Sequence, residues 1–214
     1  MTNDERMRQI ANDYLEVVCP YMMQYETLTN DFPISLLNEI RSAFTHLAEF
    51  YVADDESVKS EMVTEIEGHF KRILRDCYKY VCEAIEDEYT SFYDLYRYVD
   101  LSLVSNGEFL TKLVELRNNA IDKMMIARNK ELESDIRKVD ENELLRLYEE
   151  TFVEYDNLHS LIIAEKPHAD ALKHKTIEED HKRKKKEKKY EVLTWVFGMA
   201  SIVGVVLTII GFLT

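Results

Sequence analysis

Two side chains on one stretch of this sequence are of the right type to move a proton and hold a phosphate. Arg41 and His46 lie within Ile34–Tyr51, ISLLNEIRSAFTHLAEFY. A neutral imidazole can take a proton near pH 7. A guanidinium can hold a phosphate through donors in fixed directions. The stretch has a helical period: Leu37, Ile40, Phe44, Leu47 and Tyr51 step by three and four and predict a buried stripe. At about 100° per residue, Arg41 and His46 fall just outside that stripe and roughly 140° apart. They flank a polar face that carries Asn38, Ser42, Thr45 and Glu49. One such helix does not converge both groups on one atom, so catalysis needs a second copy or a local distortion. The plainer reading is a solvated polar face with Arg41 extended and His46 hydrogen-bonded.

The Arg-x4-His spacing, Arg41-Ser-Ala-Phe-Thr-His46, on a predicted helix in a helical sequence resembles the motif of the HEPN superfamily. The resemblance implies an all-α, HEPN-like helical bundle with long helices. In many members a His and an Arg act on the 2′-OH and the scissile phosphate of RNA without a metal. Two motifs usually meet at a dimer interface there. Arg41 and His46 are the candidate catalytic pair on that basis. Ser42 stands where active members commonly have Asn, Asp or His.

The elements that must position this pair are helices. The 214 residues include only five Gly and three Pro, and long runs repeat at helical spacing. Thr2-x-x-Glu5 has the form of a capping box. Pro20 predicts a kink or an end to the first helix. Pro33 suits the first turn of the second. Asp54-Asp55-Glu56-Ser57 opens a third, long helix with Val58, Met62, Ile66, Phe70, Ile73, Cys77, Val81 and Ile85 as its stripe, reaching to about residue 89. Residues 89–104 are aromatic-rich and predict a short helix or a helix–loop segment. Ser105-Asn106-Gly107 is the clearest break. A fourth helix follows over about 108–136, and a fifth starts near Asp140.

Charge narrows the partners. The chain carries −14, of which the run 181–190 contributes +6 and Glu191 −1, leaving −19 on residues 1–180. So acidic a domain is poorly suited to direct nucleic-acid binding. Lys71, Arg72, Arg75 and Lys79 form its basic cluster, more simply a solvated face interleaved with Glu65, Glu67 and Asp76. Cys19, Cys77 and Cys82 are odd in number and lack metal-ligand spacing, as in a reduced cytosolic domain. His168, His174 and His181 are spaced by six and seven, whereas a zinc site on one helix face favours i, i+4. His69 borders the apolar side and reads as a satisfied core or rim residue more than as a ligand. The sequence therefore predicts no metal site and no cofactor.

The end of the chain suggests a membrane. Residues 1–166 read as a cytosolic HEPN-like domain, with Pro167 at its end. Residues 167–190 read as a polar, basic linker, and 191–214 as one C-terminal transmembrane helix. Lys182, Arg183, Lys184, Lys185, Lys186, Lys188 and Lys189 predict a cytoplasmic flank that meets anionic lipid. The expected placement is single-pass in the inner membrane with the N-terminal domain cytosolic. Thr194, Ser201 and Thr208 recur every seven residues beside Gly198, Gly204 and Gly211, a small-residue face that predicts helix–helix association or a pore lining.

A HEPN-like domain joined to such a segment resembles the membrane-anchored accessory proteins of type VI, RNA-targeting CRISPR systems. This implies an antiviral-defence effector that self-associates in the membrane and perturbs it. Its partners would be the membrane, further copies of the chain, and an RNA-targeting effector or its RNA products. The alternatives are a membrane-tethered endoribonuclease using Arg41 and His46, and a tail-anchored adaptor with no activity of its own.

Overall fold

A computed structural model describes the backbone of residues 2–134 and 140–213, and the side chains of 2–133 and 140–199. The described residues are almost all helical, and none of them forms a strand. The helices are α1 (Asn3–Asp13), α2 (Cys19–Thr29), α3 (Ile34–Val52), α4 (Glu56–Tyr96), α5 (Glu108–Ser134) and α6 (Glu141–Leu213).

The helix starts follow their local chemistry. The Thr2 hydroxyl accepts from Glu5 N, and the Glu5 carboxylate accepts from Thr2 N, so the capping box is complete. The Asp55 carboxylate accepts from Ser57 N at 2.8 Å and caps α4. The first α-helix ends ahead of Pro20. A π turn over Tyr14–Val18 precedes it, and Pro20 sits in the first turn of α2. A π turn moves each N–H on to the fifth carbonyl back, which relieves the clash that a proline makes one turn upstream. Ser105, Asn106 and Gly107 all have positive φ, at 49°, 56° and 89°, and turn the chain into α5.

α4 is the mast of the fold. Over its 41 residues it packs chiefly against α3 and α6, with α2 also against it. The main core lies between α4, α5 and α6 and includes Val81, Ile85, Tyr96, Leu113, Tyr148, Leu158 and Ile162. Met7, Ile10, Phe50, Val63 and Ile66 form a second cluster among α1, α3 and α4. Leu36, Val18, Ile73 and Cys77 form a third. The aromatic segment is not a separate unit. α4 continues through Phe92 to Tyr96, because Phe92 and Tyr96 are buried against Phe109 and the α5–α6 core.

α6 runs through Pro167 without ending. The missing proline N–H leaves the Ile163 carbonyl free, and Ile163 is an exposed residue. Beyond it, Ala169 is buried and the Tyr96 hydroxyl donates to Asp170 at 2.6 Å, which pins the continued helix to α4.

The membrane-crossing helix over 191–214 is not borne out. Among the described residues no helix is long and apolar enough to cross a membrane. The described apolar side chains at this end run from Val192 to Met199, about 12 Å of helix against a hydrocarbon core of roughly 30 Å. Everything before them back to His181 is exposed and mostly charged.

Candidate functional site between the second and third long stretches of the sequence

α3 is rotated from the orientation its sequence suggests. Leu36, Ala43 and Phe50 are the buried residues, while Leu37, Phe44 and Tyr51 are more than half exposed. Ile40 and Leu47 are partly buried and belong to both stripes. The turn of the helix carries His46 toward α4 and leaves Arg41 exposed on the outside. The structure therefore does not bring Arg41 and His46 together within one chain. The Arg41 carbonyl accepts from the Thr45 hydroxyl at 3.0 Å.

His46 instead meets His69 of α4. Their rings stack with centroids 5.3 Å apart and planes 26° from parallel. His46 Nδ1 is 3.0 Å from Glu49 Oε2, and His69 Nδ1 is 2.7 Å from Glu39 Oε2. Arg72 Nε donates to the same Glu39 oxygen at 2.8 Å. Arg72 NH2 also lies 2.8 Å from His69 Nδ1. A bare nitrogen lone pair facing a carboxylate oxygen at 2.7 Å would be repulsive. The Glu39 oxygen only accepts, so that bond forms with the proton on His69 Nδ1; the Arg72 guanidinium only donates, so its contact forms with Nδ1 bare. Burial alone would raise the Glu39 carboxyl, but the hydrogen bonds from Arg72 and His69 and both their charges outweigh it, and its pKa lies below the ordinary value.

Glu65, one turn before His69 on α4, reaches the same place. One ligand atom each from His46, Glu65 and His69 lie within 4.8 Å of one another. The sequence offered part of this: Glu65 and His69 are i, i+4 on one face. The third member comes from a different helix, and no local spacing announces it.

Three of the four cations of the basic cluster on α4 are paired within the chain. Arg72 pairs with Glu39, Arg75 with Asp76, Glu131 and Glu141, and Lys79 with Glu131. Beside the histidines, α1 and α3 border an open apolar groove of about 350 Å3, with Tyr14, Ala43, Phe44, Leu47, Ile66 and Phe70 in its walls.

At the far end of α6, Lys182, Arg183, Lys184, Lys185, Lys186, Lys188 and Lys189 are exposed, and so are Tyr190, Val192, Trp195 and Phe197. The Thr194 hydroxyl donates to the Tyr190 carbonyl at 2.8 Å, within its own helix. A side chain added at Gly198 would meet open space. Ser201, Gly204, Thr208 and Gly211 of the expected small-residue face lie outside the described side chains.

Comparison with protein-family models, with curated proteins and with solved structures gave no match. The HEPN resemblance thus stands on the Arg41–His46 spacing and its helical setting alone.

Proposed function

We propose that this chain is a membrane-surface protein that acts by self-association, with the HEPN-like bundle as the assembling part. The antiviral-defence role implied by the resemblance to CRISPR accessory proteins belongs to the same reading. The observation that supports it is the course of α6. Ala169 is its last buried residue before a solvent-exposed arm that carries seven Lys/Arg from 182 to 189 and then Tyr190, Val192, Trp195 and Phe197. About 20 Å of helix separates Ala169 from Lys182 at roughly 1.5 Å per residue. That distance exceeds the screening length of about 8 Å at physiological salt. The arm's positive charge can therefore meet anionic lipid while the acidic bundle stands off. Each cation near such a surface contributes on the order of 1 kcal/mol. Exposed Trp and aromatic side chains favour the interfacial zone. The cytoplasmic face of the inner membrane, which is anionic, is the matching surface. The exposed Leu37, Phe44 and Tyr51 of α3 supply an apolar face for a second copy.

The test is flotation of full-length protein with vesicles of neutral or anionic lipid. Binding to anionic vesicles that weakens with salt, and drops at least tenfold when the seven cations are changed to Gln, is expected. Equal binding by that variant, or none to either vesicle, would sink the reading.

A second reading, RNA cleavage, is favoured by one observation. Glu49 holds His46 Nδ1, the arrangement that orients an imidazole as a base at its other nitrogen. Arg41 would then come from a neighbouring copy. Cleavage of single-stranded RNA that persists in His46→Ala would rule it out.

A further inference from the structure

We infer that His46, Glu65 and His69 form a binding site for a divalent transition-metal ion of the zinc class, tying α3 to α4. Two imidazoles and one carboxylate are a donor set such ions favour, with a fourth position left to water. Their ligand atoms already lie within 4.8 Å of one another. Tetrahedral coordination at roughly 2.0–2.1 Å needs them about 3.4 Å apart. Glu65 is exposed and can rotate to close that gap.

The surroundings carry the inference further than the three residues do. A metal-bound imidazole ordinarily donates its other N–H to a carboxylate, which fixes the ring and raises its basicity. Both histidines here have that partner at Nδ1, Glu49 for His46 and Glu39 for His69. With Nδ1 protonated toward its glutamate, each ring offers its Nε2 lone pair to a metal. Charge also agrees. Glu39, Glu49 and Glu65 contribute three negative charges and Arg72 one positive, so a dication would balance the group. Arg72 lies against the Nδ1 edge of His69 and is bonded to Glu39, so it counts in that charge balance. Neither the vesicle-binding arm nor the exposed apolar residues Leu37, Phe44 and Tyr51 take part in the site, so this inference and the membrane-surface reading fail separately.

The experiment is calorimetric titration of full-length, chelator-treated protein with Zn2+, repeated with Co2+ and read by visible absorption. One ion per chain is expected, with the absorption of tetrahedral Co2+ and a higher Tm in the loaded protein. Glu65→Gln, at an exposed position that the bundle does not need, should lower the affinity at least tenfold and leave the Tm of metal-free protein unchanged. Glu49→Gln should lower it by roughly 10–100-fold through His46. The inference is overturned if no stoichiometric ion binds. It is also overturned if Glu65→Gln and His46→Ala bind as the parent does, which would put the ion elsewhere, such as on His168, His174 and His181.

Discussion

The ring of His46 on α3 lies over the ring of His69 on α4, 5.3 Å between centroids, each with Nδ1 held by a glutamate of α3. The contact decides what α3 can present. Glu39, Ala43, His46 and Phe50 face the mast, and Arg41 faces away.

Glu39 is the keystone of that seam, because it accepts from His69 and Arg72 together. Glu39→Ala leaves both donors without their acceptor in a half-buried place. We expect a loss of about 1–3 kcal/mol in urea unfolding. Glu39→Gln, which keeps one acceptor oxygen, should lose less. Equal stability of the alanine variant and the parent would mean that the seam contributes nothing.

The rotation of α3 makes opposite predictions for adjacent leucines. Leu36 is fully buried and Leu37 is half exposed. Leu36→Ala should cost about 2–5 kcal/mol and Leu37→Ala well under 1 kcal/mol. The reverse order in denaturant midpoints would restore the stripe through Leu37, Phe44 and Tyr51.

Acid should loosen the bundle at a defined point. Glu131 of α5 accepts from Lys79 of α4 at 2.7 Å and from the Tyr148 hydroxyl of α6 at 2.5 Å. Burial alone would raise its carboxyl, but these bonds and the charges of Lys79 and Arg75 outweigh it, so its pKa is lowered. A carboxylate with a lowered folded pKa contributes stability that is complete above its unfolded value and is lost as pH falls through the folded one. The unfolded value is about 4.3. Asp76 has the opposite sign, since burial raises it despite Arg75 and Lys79. Comparison with Glu131→Gln isolates Glu131. The parent's urea midpoint should exceed the variant's above pH 5, and the gap should shrink below about pH 4. A gap that is constant from pH 7 to pH 3 would contradict this.

Gly107 turns the chain into α5 with φ at 89°. A Cβ there would meet the Ser102 carbonyl at 3.5 Å, an ordinary contact, so the obstacle is backbone strain and not space. Gly107→Ala should cost about 1–2 kcal/mol in thermal or urea unfolding. An unchanged midpoint would show that the turn relaxes.

Much of the architecture was legible along the chain. Few glycines and prolines, the capping box at Thr2, the acidic start of α4 and the Ser105-Asn106-Gly107 break all act within a few residues. Local sequence therefore determined an all-helical chain and most of its boundaries. It misjudged Pro167, where the packing of Ala169 and the Tyr96–Asp170 bond keep the helix going. It also overreached at the apolar end, where among the described residues no helix is long and apolar enough to cross a membrane.

The site was decided only by the tertiary structure. α3 has two apolar stripes that share Ile40 and Leu47, one through Leu36, Ala43 and Phe50 and one through Leu37, Phe44 and Tyr51. Periodicity cannot choose between them. The choice belongs to α4, which offers Ile66, Ile73 and Cys77 for apolar contact and His69 and Arg72 for Glu39. Sequence alone thus determined that Arg41 and His46 share a helix. The packing of α3 on α4 placed His46 with Glu65 and His69 and left Arg41 in solvent, because burial rewards the face that fits a neighbour, and that neighbour is remote in the chain.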